Sequence, residues 1–564
     1  MTPRFPLPSS LKRVWLFAAA LLLAAPPLRA TSVALTDATI VELQAAMQSG
    51  SLTAEKLTQL CLARIDAYEK SGPRLHAIIT LNPHALDDAR ALDAERKAKG
   101  PRGPLHGIPI VLKDIIDTAD LPTTGGFYGL RDSVPPQDSE QAKRLRAAGC
   151  IILAKANLSE FASAGAVSTL GGIMRNPHAI DRSPSGSSGG TGISVAAGFA
   201  VFGLGTDTGG SIRGPSSACG IVGLKPTLGL NGRGGIMPLA LSLDTVGPMA
   251  RHVADLAAAL NVMAGPDPRD PATAANAGKI PADYTAGLKP DALKGAKLGL
   301  LRDFMKSDPA VDAVIETAVA VLRKQGATVV DIKLPRYVLA MNSDIYETIR
   351  ETEFHHQIED YLATLPRKDL PKTLPEIVAL SEKVLVGEDG WEPNRGRLET
   401  MKRSIKAGAL DSEPYRSAVN EGRKMIRENL EAIVAKEKLD AFITPTSGRP
   451  AGLLTSDLGA GGSGRGGAAA GGASAEGGGA TGADSSGGAG GGGHARICNL
   501  SGWPDLIVPA GVTSDPVLPV TLSFIGPAFS EARLLALGYA FEQALPARVL
   551  PAKTPALPGE TITY

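Results

Sequence analysis

Cysteine is scarce in this sequence: four in 564 residues, Cys61, Cys150, Cys219 and Cys498, scattered and with no C-x-x-C pair. Such spacing gives neither a metal-ligand set nor a disulfide framework, so the four read as buried thiols. An excess of one charge is missing too, with 58 Lys and Arg against 57 Asp and Glu, a formal net charge of +1. No global field draws nucleic acid or a membrane surface, which points to a small or neutral substrate and away from a nucleic-acid partner. The apolar stretch near the N terminus, "VWLFAAALLLAA" (14–25), is too short to cross a bilayer, which takes ~20 residues. Finally, the glycine-flanked serine of "GTDTGGSIRGPSS" (205–217) has no histidine beside it. If Ser211 is a nucleophile, its proton must go to something else.

What the chain does have begins with an address. Arg4, Lys12 and Arg13 precede the apolar stretch, and "PPLRA" follows it. A basic start, a short apolar centre and a small final residue predict an export signal over 1–30, cleaved after about Ala30. No cysteine follows closely to carry lipid, so the expectation is a periplasmic or secreted protein with no lasting membrane anchor.

Beyond the signal, 43% hydrophobic and 20% charged residues is globular composition rather than disorder. "TDATIVELQAAMQSGSLTAEKLTQLCLARIDAYEK" reads as two helices, with Thr36 and Asp37 offering caps to the first. "GIPIVLKD" (107–114) reads as a buried strand with Lys113 at its exit. Helix, glycine stop and strand then alternate through "SEQAKRLRAAGCIILAKANLSE", "AVDAVIETAVAVLRKQGATVVDIKLP" and "LDAFITPT". The alternation predicts an α/β fold, a mixed, largely parallel sheet covered by helices on both faces. One domain would span 35–550. Residues 336–436 are charged and helical, an excursion from the sheet. Residues 456–494 are almost all glycine, alanine and serine; such a tract cannot recover its ordering entropy by packing and reads as a disordered insertion inside the domain. Amphipathic helices look alike whether they face a core or a partner, so the sequence sets no oligomeric state.

The block "PSGSSGGTGISVAAGFAVFGLGTDTGGSIRGPSSACGIVGLKPT" (184–227) holds the chemistry, and several short motifs fail on it. A dinucleotide fingerprint would put glycine where Thr208 stands, and a phosphate loop is broken by Leu224 and Pro226. A G-x-S-x-G elbow is formally present at 186–190, but "HAIDRSP" before it is no strand. An S-x-x-K at Ser9–Lys12 lies inside the segment expected to be removed. A flexible linker would explain "SGSSGG" alone, yet "TGISVAAGFAVFGLG" behind it has the look of a tightly packed buried helix.

Taken whole, the block resembles the signature of the amidase signature family. Carrying the resemblance are Gly186 through Gly190, "GLGTDTGGSIRGPSSACGIVGLKPT", "LHGIPIVLKD", "AKANLSEFA" and the C-terminal "GWPDLIVPAG" region; it covers nearly all of 37–547. Within the family, the export signal and "SGPRLHAIITLNPHALDDA" look most like secreted bacterial peptide amidases. The resemblance implies that Lys113 is the base, Ser187 a bridging serine entered through a cis peptide from Gly186, and Ser211 the nucleophile. Ser187 and Ser211 are 24 residues apart, the family's spacing, which favours Ser187 over Ser188. It further implies an oxyanion hole from the backbone of Thr208, Gly209, Gly210 and Ser211, with Asp207 and Arg213 bracing the loop and Ser188 holding the network. No metal or organic cofactor is implied.

The physics asks for a neutral lysine. Free lysine titrates near ~10.4, and burial lowers that by up to ~3–5 units. Asp114, the next residue, would point to the opposite face of the strand and leave Lys113 unpaired. The implied activity is hydrolysis of carboxamide C–N bonds through a serine acyl-enzyme, on C-terminal amides of peptides, or alternatively on aryl, aliphatic or fatty-acyl amides. Members acting on charged transfer RNA fit badly with an exported chain, and a catalytically silent binding protein fits badly with a complete Lys113, Ser187 and Ser211.

Overall fold

Short runs of β-branched and small apolar residues form eleven strands of one sheet in the computed structural model, which describes Met1 and residues 31–383, 394–454 and 494–564. In chain order the strands are β1 Ile78–Leu81, β2 Pro109–Lys113, β3 Ile151–Ala156, β4 Phe202–Asp207, β5 Val222–Lys225 and β6 Thr245–Ala250. They continue with β7 Lys297–Leu301, β8 Thr328–Ile332, β9 Ala441–Pro445, β10 Asp505–Val512 and β11 Pro519–Ile525. Their spatial order is β8-β7-β9-β11-β10-β5-β6-β4-β2-β3-β1. The parallel pairings expected from the alternation form two blocks, β8-β7-β9 and β4-β2-β3. Antiparallel strands join those blocks, and β1 closes one edge antiparallel to β3. Every residue of β2, β3, β4 and β6 is buried, as a sheet covered on both faces requires.

The helical excursion is present: α1 Arg336–Ala363, α2 Leu374–Lys383, α3 Arg395–Lys406, and a last arm, Glu413–Glu437, interrupted by a π turn at Ala418–Gly422. The expected signal (1–30, apart from Met1) and nearly all of the glycine-rich insertion lie outside the described residues.

Four local expectations change. The first helix, Ile40–Ser49, is capped by Thr39 rather than Thr36 or Asp37, because Thr39 and Glu42 satisfy each other's backbone N–H groups as a capping box. "TGISVAAGFAVFGLG" is not one helix: a buried helix stops at Ala196 and Phe202 begins β4. His494 is not part of a loop; it opens the helix His494–Ser501 and is buried. The folded unit also runs past 35–550, since Ser32–Ala34 pairs with Thr561–Thr563 and the buried Arg64 needs Glu560, 2.7 Å away. All four cysteines are free and buried.

Candidate active site

Lys113 is the last residue of β2, flanked in the sheet by β3 and β4, and is wholly buried. Its Nζ lies 2.6 Å from Ser187 Oγ and 2.8 Å from Thr206 Oγ1. Both partners are neutral hydroxyls. Burial pushes the amine down to about 7, against the pull of the Asp207 and Asp244 carboxylates, neither of which bonds it. Asp114 does face away: its carboxylate takes the Thr124 N–H and hydroxyl and lies 3.3 Å from Lys155.

Ser187 follows a cis peptide bond from Gly186. Its carbonyl accepts the Ser159 N–H at 3.0 Å, while the Ser188 N–H donates to the Ser211 carbonyl at 3.1 Å. Ser188 turns the other way from Lys113. Its hydroxyl accepts the Thr206 N–H and donates to the Thr206 carbonyl, both at 3.2 Å, pinning β4 beside the lysine.

The turn after β4 carries Ser211. Asp207, at the strand end, accepts the N–H groups of Gly210 and Ile212, each at 2.9 Å, and both Nε and Nη2 of Arg213. Burial alone would raise the Asp207 carboxyl; Arg213 and the backbone donors outweigh it and hold the group well below the usual carboxylate range. Arg213 reaches on to Asp505, the Ala495 carbonyl and Asn499. Both residues therefore brace the turn from behind.

Because the Gly210 N–H is committed to Asp207, the N–H groups of Thr208, Gly209 and Ser211 are those left to meet an oxyanion in this conformation. The two glycines have distinct causes. Gly210 sits at φ +122°, which other residues rarely adopt, and a Cβ on Gly209 would overlap the phenol of Tyr346 from α1. Ser211 is half-buried. No side-chain hydrogen bond joins the Ser211 and Ser187 hydroxyls among the described residues; such contacts commonly tighten only when substrate binds.

A narrow cleft of about 290 Å³, counting space open to solvent, runs along Thr206, Thr208 and Asp244 and is walled by Ile115, Met237 and Leu239. Thr206 links this cleft to Lys113, whose amine bonds its hydroxyl; Ser187 and Ser211 do not line the cleft. Most of the lining of this cleft comes from the 233–246 segment, and none from the excursion. The excursion covers the site from outside: Tyr346 at Gly209, Arg350 on Ser163, Gln357 on the Leu241 N–H and Tyr361 on Asp117.

A buried amine near neutral titration, bonded to one serine and close in the fold to a second serine on a glycine turn, is an arrangement for serine acyl transfer. The sequence matches the amidase family over residues 56–476. The chain belongs to the amidase signature family. It is similar to a glutamyl-tRNA(Gln) amidotransferase subunit of Chloroflexus aggregans, 36% identical over 90% of this chain and 96% of that one. It is equally similar to the crystal structure of the peptide amidase of Stenotrophomonas maltophilia, with 36% identity and a TM-score of 0.80 over 92% of this chain and 99% of that one. An amidase family protein of Bacillus anthracis is 31% identical, with a TM-score of 0.77 over 92% of each chain. The chain is thus an amidase, a hydrolase of amide C–N bonds.

Sequence reasoning on this amidase misses Thr206, Asp244 and Tyr346. Thr206 is legible in principle, standing one residue before Asp207 in the glycine-rich block, with its hydroxyl toward β2. Asp244 and Tyr346 carry no local signal: each reaches the turn only through the fold.

Proposed function

We propose that this amidase is exported and hydrolyses the C-terminal carboxamides of peptides, with Ser211 as nucleophile, Ser187 as relay and Lys113 as base. The observation that carries the chemistry is the contact with Ser187 of a buried lysine whose amine burial pushes down to about 7. Ser187 gives its proton to Lys113 Nζ while accepting that of Ser211 Oγ, which attacks the amide carbonyl. The negative charge that develops on the carbonyl oxygen meets backbone N–H groups of the 208–211 turn, each such donor contributing ~2.7–4 kcal/mol in comparable sites. The proton then returns through Ser187 to the leaving nitrogen, ammonia departs, and water enters by the same route to release the acid.

For the substrate, the reading is supported by the likeness to the Stenotrophomonas maltophilia peptide amidase along almost its whole length. Export is supported by the basic and apolar pattern of 1–30. A second reading has support as well: relatives named as glutamyl-tRNA(Gln) amidotransferase subunits match equally well in sequence, which favours ammonia release from glutamine within a larger assembly.

Ammonia release by the mature protein separates these readings, with Ser211→Ala as control, on an amidated dipeptide, an aryl amide, a fatty amide and glutamine. Release confined to the dipeptide and absent in the variant supports the proposal; release spread across the panel makes the enzyme a general amidase, and release from glutamine alone favours the second reading. Mass spectrometry of the exported protein should find an N terminus near residue 31, and a retained Met1 overturns export.

A further inference from the structure

We propose that Asp244 is a positioning residue of the oxyanion turn, fixing Thr208 through its hydroxyl and so aiming the backbone N–H groups beyond β4 at the reacting carbonyl. The inference rests on the proposed oxyanion role of that turn. Asp244 lies in "LSLDTVGP", just before β6, and lines the cleft together with Thr206 and Thr208. Both of its oxygens are occupied. Oδ1 accepts the Thr208 hydroxyl at 2.5 Å, and Oδ2 accepts the N–H groups of Leu239 and Ala240, each at 2.9 Å. The acceptor is thus held by backbone on one side and holds the turn on the other.

The turn is anchored by two carboxylates with divided tasks. Asp207 ties down Gly210 and Ile212, and Asp244 ties down Thr208. Gly209 stands between the two anchors, beneath Tyr346. An anionic acceptor makes a hydrogen bond roughly twice as strong as a neutral one, so a carboxylate here fixes the turn better than an amide would. Burial raises the Asp244 carboxyl to about 6, so it carries its charge at neutral pH and loses it on the acid side of the Lys113 titration. No ion pair among the described residues consumes that charge. Arg233 gives Nη1 to the Asp244 backbone carbonyl and points Nε and Nη2 at Asp270; it also feels Glu353 from α1. Asp207 and Asp244 are the two carboxylates whose charge Lys113 feels, and Asp207 is already paired with Arg213. Asp244 therefore also helps set the pH at which the base gives up its proton.

The test reads Ser211 directly, by its rate of labelling with a fluorophosphonate across pH, alongside kcat and KM on whichever amide the parent hydrolyses. Asp244→Asn should lower labelling and kcat about tenfold or more, short of the ~10²–10³-fold that follows outright loss of a donor, with KM unchanged. The acid limb of labelling should move to lower pH, because Lys113 loses a negative neighbour. Thr208→Val should cost the same factor, Thr208→Ser should restore it, and the double variant should be no slower than Asp244→Asn alone. Additive losses, a loss in KM alone, or a loss that tracks melting temperature with the acid limb unmoved would overturn the assignment. Labelling needs no amide, so failure to cleave an amidated dipeptide breaks only the substrate reading, whereas parental labelling in Asp244→Asn breaks this one.

Discussion

Lys113 and Lys155 stand on neighbouring parallel strands, one register step apart, and both are wholly buried. Their surroundings differ in kind. Lys155 has the Asp114 carboxylate at 3.3 Å, the Thr123 hydroxyl at 2.7 Å and the Pro122 carbonyl at 3.0 Å, a set of acceptors that suits an ammonium. Lys113 has two hydroxyls, and the carboxylates that influence it make no contact with it. Burial lowers both amines, but only at Lys155 does a bonded carboxylate oppose it. Burying a lysine is therefore not enough to make a base. Which atoms meet Nζ decides whether it holds the fold or moves a proton.

The contrast between the two lysines is most exposed at Lys113 itself. Lys113→Met should lower kcat/KM for amide hydrolysis by about 10³–10⁴-fold, and Lys113→Arg should not recover it, because a guanidinium stays protonated. Recovery with arginine would mean that charge, not proton transfer, is what the site needs.

At Lys155 the loss should fall on stability. Lys155→Met strands the Asp114 carboxylate in the core and should cost about 3–5 kcal/mol by denaturant titration, with most of the loss regained on adding Asp114→Asn. A parental midpoint in the single variant would show that the pair does not hold the sheet.

The pH dependence separates the two lysines again. As the proposed base Lys113 must be unprotonated to act, so kcat/KM should rise through about pH 7. The folded value lies below the unfolded one, ~10.4. Between the two values the unfolded chain holds a proton the folded chain has lost, so stability from this residue rises with pH, and the burial penalty is complete below about 7. Lys113→Met should accordingly melt higher than the parent at pH 7, by a margin that shrinks toward pH 10. A margin independent of pH would place the effect in packing instead.

The mildest change belongs to Ser188, whose hydroxyl reaches the lysine's surroundings through Thr206. Ser188→Ala should cost about 1 kcal/mol of stability and lower kcat severalfold, measured by thermal melting and steady-state rates. A loss as deep as that of Lys113→Met would put Ser188 in the proton path.

Much of the site is legible in the sequence because it falls in two short segments, 107–114 and 184–227, that match the family's motifs. Lys113 closes an apolar strand, Ser187 and Ser211 sit at a fixed spacing, and Asp207 and Arg213 flank one turn. Thr206 escapes notice because a threonine inside a strand reads as filler until its neighbour strand is known. Asp244 and Tyr346 reach the turn through long-range packing, for which neither helical nor strand period gives a sign. In the fold, the alternation of strands and helices pointed to the class, while the end-to-end pairing of 32–34 with 561–563 required two short segments with no pattern of their own to meet.

Residue types alone dictate the chemical alphabet: a lysine at a strand exit, two serines among glycines, and at position 210 the one residue type that tolerates φ +122° without strain. That Lys113 meets hydroxyls and Lys155 a carboxylate is a product of packing, because both side chains have the same intrinsic titration. What separates them is the low-dielectric space made by β2, β3, β4 and the helices over them, and the atoms that space brings to each Nζ.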